Sequence, residues 1–197
     1  VVGEVWLCSG QSNMGWSVRL SANAQEEIAA ERHPQIRLFT VARRESESPE
    51  SDVEGAWQEC SPATIPTFSA VAYYFGRALQ KSLNVPIGLL HSSVGATRAQ
   101  AWTPRPVLEG EFKEVFVQHD REKANPNPAV KPVAPSHLYN GMIAPLVPFA
   151  IRGTIWYQGE GDVGSPKTHQ SLFPALIRSW RKEWGGEFPF LFVQLAN

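Results

Sequence analysis

Three polar, glycine-bearing segments each follow an apolar run: Ser9-Gly10-Gln11-Ser12-Asn13, His91-Ser92-Ser93-Val94-Gly95-Ala96-Thr97 and Gln158-Gly159-Glu160-Gly161-Asp162. The first holds the residue around which the others are arranged. Apolar Val5 to Cys8 reads as a short buried strand, and Gly10 permits the turn that ends it. Ser12 then falls just past the carboxyl end of a strand, where open α/β sheets place their ligand crevices. A serine there acts as a nucleophile if a base takes its proton and donors stabilise the oxyanion that follows. The competing reading is a serine that caps the next helix or closes a turn. Position 14 is methionine rather than the second glycine of a nucleophile elbow, so the local pattern leaves both readings open.

The elements that must position these segments are legible in the apolar periodicity. Gln35 to Val41 alternates polar and apolar residues and reads as a second strand, after a helix-forming stretch from Ala22 to Arg32. Charged, serine-rich Arg43 to Glu54 reads as an exposed loop, and residues 57–66 as irregular. A helix is expected from about Phe68 to Leu83, capped by Thr67 or Ser69, with Phe68, Val71, Ala72, Phe75, Ala78 and Leu79 toward the sheet. Val85 to Leu90 is a third, nearly all-apolar strand, the pattern of a strand covered on both faces. Residues 103–135 are proline-rich and irregular, with a short helix near Phe112 to Arg121 and a candidate lid at Asn125-Pro126-Asn127-Pro128. Ile151 to Tyr157 is a fourth strand. His169 to Trp184 is a helix presenting Leu172, Leu176, Ile177 and Trp180, stopped by Gly185-Gly186. Phe188 to Leu195 is a fifth strand. Strands alternating with helices predict an α/β three-layer sandwich on a mostly parallel five-stranded sheet, as one domain over residues 1–197. Loops that follow three different strands then converge at one sheet edge.

Composition bounds the function. The chain has 197 residues, 43% hydrophobic and 19% charged, the profile of an ordinary globular domain. A formal net charge of -1 gives no electrostatic case for nucleic acid or an anionic membrane, and no apolar run is long enough to cross a bilayer. The chain opens without methionine at strand-like residues, which predicts a processed protein or an excised fragment. Cys8 and Cys60 read as two buried thiols outside any metal-ligand cluster, with a single bridge left open. Seven tryptophans fit either aromatic loops lining a carbohydrate site or a core filled with large rings.

Four blocks carry a resemblance. Trp6-Leu7-Cys8-Ser9-Gly10-Gln11-Ser12-Asn13-Met14, Phe68-Ser69-Ala70-Val71-Ala72-Tyr73, Leu138-Tyr139-Asn140-Gly141-Met142 and Trp156-Tyr157-Gln158-Gly159-Glu160 resemble, in order, the sialate O-acetylesterase family of SGNH (GDSL-like) hydrolases, related to acetylxylan esterases. The resemblance implies the flavodoxin-like SGNH fold. It implies a serine esterase that removes acetyl groups from sugar hydroxyls, with an acetylated carbohydrate as partner and no metal or organic cofactor. It also leans toward a secreted or periplasmic location. Ser12 matches the nucleophile. The backbone N–H groups of Ser12 and Gly95 and the Gln158 amide match the oxyanion hole. Glu160 also matches the family block and is expected to hold loops together, Gln11 and Asn140 are candidates for bracing the site, and Arg98 and Trp102, downstream of Gly95, either contact substrate or pack at the surface. The family's base lies in a late Asp-x-x-His block that none of His33, His91, His119, His137 or His169 matches. His91 is the nearest stand-in by position. The expectation is therefore a chain truncated at its C-terminus, with no histidine bonded to Ser12 and one face of the last strand uncovered. The alternative is a catalytically incomplete fragment, or a carbohydrate-binding domain that keeps the pocket without the base.

Overall fold

The computed structural model describes residues 2–124 and 132–195, so the candidate lid at 125–128 lies outside the described residues. The strands are β1 (Glu4–Gly10), β2 (Ile36–Thr40), β3 (Gln58–Glu59), β4 (Ile87–Ser93), β5 (Gly153–Tyr157) and β6 (Phe190–Phe192). They form one sheet in the order β3-β2-β4-β1-β5-β6. Every pairing is parallel except β2 with β3. The five expected strands are present. The sixth, β3, is two exposed residues in the stretch read as irregular, too short to show any period.

Side-chain alternation along the strands builds a core on each face. Leu7, Phe39, Leu90, Trp156 and Phe190 face one layer, and Trp6, Cys8, Leu38, Leu89 and Ile155 face the other. The first layer is covered by α3 (Arg105–Glu111), α4 (Glu114–Ala124), α5 (His137–Met142) and α6 (Pro166–Glu183). The second is covered chiefly by α2 (Ala70–Leu83), with α1 (Ala24–Ala29) beside it. Among the described residues of 103–135 there are two helices, the expected short one and α3, whose seven residues are too few for a visible period. Trp102, Trp156 and Trp180 are fully buried, so tryptophan here largely fills the core, and Trp102 is no substrate contact. Both cysteines are free and buried, and burial pushes the Cys8 thiol well above its usual range.

Ser69 caps α2 by accepting the Ala72 N–H at 3.1 Å, and its hydroxyl donates to Met14 O at 2.6 Å, joining the helix start to the Ser12 turn. The buried stripe of α2 runs through Ala72, Tyr73 and Gly76, while Ala78 is exposed. A Cβ at Gly76 would lie 2.7 Å from Leu89 Cδ1, so β4 packs against helix backbone there and turns the stripe away from Ala78. Helix α6 buries Leu172, Leu176 and Trp180 as its spacing predicts. On β6 only Phe190 is covered, and Phe192, although its ring touches Phe173, is 53% exposed. Phe190 packs on Trp156, Trp180 and Phe173, and Phe192 sets its ring 5.3 Å from Phe173. On the other face, Leu191 is 48% and Val193 41% exposed.

Candidate active site

The strand register brings the three polar segments together. Gly10 lies opposite Ser93 of β4 and opposite Tyr157 of β5, so the loops after β1, β4 and β5 leave the sheet at one level. Gly10 has φ 137°, and a Cβ there would lie 2.2 Å from Tyr157 O, so glycine is required where the chain turns. Gln11 N donates to Tyr157 O at 2.9 Å and Gly15 N to Gln11 O at 3.0 Å, which closes a tight turn around Ser12. Ser12 is exposed within this turn. On the β4 side, Val94 N donates to Gly10 O at 3.2 Å, and Gly95 comes against Ser12: a Cβ on Gly95 would lie 3.5 Å from that of Ser12. Ala96 beside it adopts φ 58°, a left-handed conformation that alanine tolerates poorly.

Ser12 and Gly95 line one cavity of about 620 Å³ with Gln11, Arg98, Gln100 and Glu160 among its other walls. Among the described residues, the backbone N–H groups of Ser12 and Gly95 make no hydrogen bond and remain available to a ligand. Arg98 is tied down by Nε donating to Gly161 O at 3.2 Å and Nη1 pairing with Glu122 at 2.7 Å. Glu160 accepts from the Asn13 amide, joining the loops after β1 and β5.

Gln158 is placed otherwise than the sequence suggests. Its Nε2 donates to Thr97 O at 3.0 Å and to the Asp162 carboxylate, and its buried Oε1 has no partner. With both amide hydrogens engaged, Gln158 offers no donor to a carbonyl at Ser12 in this arrangement, and it lines a neighbouring cavity of about 430 Å³. Two acceptors fix the orientation, since the flipped amide would set Oε1 against both. Asn140 also lies elsewhere. It sits in α5, donates to Ser46 O at 3.0 Å, and lines a separate cavity of about 790 Å³ with Tyr139 and Arg178.

Asp162 is the residue that sequence reasoning missed. It is 6% exposed, and its Oδ2 accepts Ala99 N at 3.0 Å as well as the Gln158 amide, joining the loops after β4 and β5. The available signal was its place four residues after Gln158 in a polar loop.

Among the described residues no histidine bonds the Ser12 hydroxyl. His91 Nε2 pairs with Ser93 Oγ at 2.8 Å, its Nδ1 is sealed from solvent, and burial lowers its pKa from 6.5 to about 4. His33 binds the buried Glu31 carboxylate at 3.0 Å. His169 Nδ1 lies 3.6 Å from Asp162 Oδ2 while its ring stacks on Phe173, on the side of the smaller cavity.

A family model described as carbohydrate esterase, sialic acid-specific acetylesterase matches residues 2–197. Sialate O-acetylesterases of Rattus norvegicus and Homo sapiens are 32% and 33% identical over 99% of this chain. The chain spans 43% and 40% of their respective lengths. A solved carbohydrate acetylesterase from Xanthomonas citri superposes with a TM-score of 0.84 at 38% identity, over 99% of this chain and 42% of that one. An Arabidopsis thaliana protein shares the fold alone, with a TM-score of 0.56 at 18% identity over 98% of this chain and 74% of that one.

Proposed function

The chain belongs to the carbohydrate esterase family of sialic acid-specific acetylesterases, and on that premise we propose that it hydrolyses O-acetyl esters on sugar hydroxyls with Ser12 as nucleophile. Ser12 Oγ adds to the acetyl carbonyl carbon and gives its proton to a base, and the carbonyl oxygen becomes an oxyanion. The N–H groups of Ser12 and Gly95 receive that charge. Collapse breaks the bond to the sugar oxygen, which leaves with the proton, and water then releases acetate from the acetyl-serine by the same steps. The observation that carries this reading is the exposed Ser12 with the Gly95 backbone against it and both N–H groups unpaired, in one cavity. Preorganised donors act where charge develops in the transition state, and removing one typically slows turnover by about two to three orders of magnitude.

The proton acceptor is assigned to none of the described histidines. That observation favours one second reading, a carbohydrate-binding domain that holds the acetylated sugar without turning it over. The experiment measures acetate release from acetylated sugars by the 197-residue chain, by the same chain with its natural C-terminal continuation where it has one, and by Ser12→Ala of each. The expected result is a rate that falls at least about a thousandfold in Ser12→Ala. An unchanged rate in Ser12→Ala removes Ser12 as nucleophile. Binding without acetate release by any form selects the second reading.

A further inference from the structure

We propose that the side chain of Gln11, rather than that of Gln158, supplies the third oxyanion donor; this rests on the esterase reading above. Gln11 is 3% exposed and lines the Ser12 cavity. Its Oε1 accepts two backbone N–H groups of the loop after β5, Gly161 at 3.2 Å and Gly159 at 3.4 Å. An amide whose oxygen receives two N–H donors cannot flip without setting its own N–H₂ against them, so the position of Nε2 is fixed. Among the described residues that Nε2 makes no hydrogen bond, and it is not one of the polar atoms sealed from solvent. In a residue this buried, the available opening for the nitrogen is the cavity that Gln11 lines.

The two glutamines therefore have opposite states. Gln158 has its nitrogen engaged and its oxygen free, whereas Gln11 has its oxygen engaged and its nitrogen free. Only Gln11 presents donors, and it adjoins the nucleophile in the chain. An amide held by two backbone groups is preorganised and needs no reorganisation as charge develops, the condition under which such a donor is effective. The assignment makes Gln11 a catalytic residue that touches the reacting carbonyl oxygen.

The variant that separates donor from brace is Gln11→Glu. A carboxylate still accepts from Gly159 and Gly161, so the brace survives, while the N–H donors are replaced by an anion facing the oxyanion position. The expected result with an acetylated sugar is a kcat lower by about a hundredfold to a thousandfold with KM within about threefold. At a pH where the new carboxyl is protonated the melting temperature should match the parent's, because an ionised carboxylate at this buried position is costly in itself. Activity should recover partly as the pH falls through the range where the new carboxyl protonates, because its O–H can then donate. A kcat within about threefold of the parent overturns the assignment, as does a loss of kcat matched by a loss of thermal stability that persists when the carboxyl is protonated, or a loss that acid does not relieve. If the parent protein releases no acetate, the esterase reading itself falls and this assignment with it.

Discussion

Acidifying the protein from pH 7 to 4 should test His91, the histidine that position alone marks as a base. Its Nε2 is held by Ser93 at 2.8 Å, and its Nδ1 is sealed without a partner, so a second proton would have to be buried unpaired. Burial accordingly lowers its pKa from 6.5 to about 4. The sign follows from which state binds the proton. Between those values the unfolded chain protonates the imidazole and the folded chain does not, so stability is full above pH 6.5 and is lost as pH falls toward about 4. At about 1.4 kcal/mol per unit the window from 6.5 to about 4 is worth at most about 3.5 kcal/mol. His91 as a whole is half-buried rather than sealed, which pulls the value below that bound. Urea unfolding at pH 7 and 4.5 measures it, on the parent and on His91→Gln, whose side chain does not titrate. Other acid-sensitive groups act in both proteins, so the difference between them isolates His91. The parent should lose about 2 kcal/mol more than His91→Gln over this interval. An equal loss in both, or an imidazole that titrates above pH 6 by NMR in the folded protein, would refute the reasoning.

Asp162→Ala leaves the buried Ala99 N–H and the Gln158 amide without their charged acceptor, and should destabilise the fold by about 3 kcal/mol. In a domain of this size calorimetry should record a melting temperature lower by about 6–12 °C, and a change under about 1 °C would show the carboxylate to be dispensable. Ala96→Gly removes the penalty of a non-glycine residue at φ 58° and should stabilise by about 0.5–1 kcal/mol; a lower urea midpoint would contradict it. Glu31 is buried, which by itself raises its pKa, but hydrogen bonds from Tyr73, the His33 N–H and the His33 ring outweigh this and hold it low. A folded pKa below the unfolded one gives stability that is present above the carboxylate range and lost as pH falls through it, so Tyr73→Phe should begin acid unfolding at a higher pH than the parent. An unmoved acid limb would exclude Tyr73 as the group that holds Glu31 ionised.

The strands and long helices were legible because burial imposes a period. Val5 to Cys8 and Val85 to Leu90 are apolar since both faces of a parallel sheet are covered, and Leu172, Leu176 and Trp180 recur at helical spacing. β3, at two residues, is too short to alternate, and α3 and α5, at seven and six residues, make fewer than two helical turns, too few for the helical period to show. At the site, the convergence of Ser12 and Gly95 was legible because it follows from topology: both sit one loop beyond adjacent parallel strands. The direction of an amide was not. Gln158 and Gln11 are the same residue type in similar loops, and their roles divide on which atom a neighbour takes, a choice made by Thr97 O and Asp162 in one case and by Gly159 and Gly161 in the other. Asp162 is four positions from Gln158, but the other three partners lie 61 to 150 positions from the glutamine they bind. No local pattern encodes those three.

The same contacts explain how Ser12, a residue in a loop, is held in place. A loop after a strand is free at its far end, and productive attack tolerates misplacement of little more than half an ångström. Here the loop after β1 is held at Gln11 by two N–H groups from the loop after β5 and at Asn13 by Glu160. The loop after β4 is held by Asp162 at Ala99, by Gln158 at Thr97 O and by Arg98 on Gly161 O. The approach is close enough that a Cβ on Gly161 would lie 2.4 Å from Thr97 O, so no side chain fits between the two loops. The loop after β5 is thus the common partner. It carries neither Ser12 nor Gly95, yet the segment of each is fastened to it. The polar residues of Gln158-Gly159-Glu160-Gly161-Asp162 are accounted for by this fastening, which makes the segment the frame on which Ser12 and Gly95 are brought face to face.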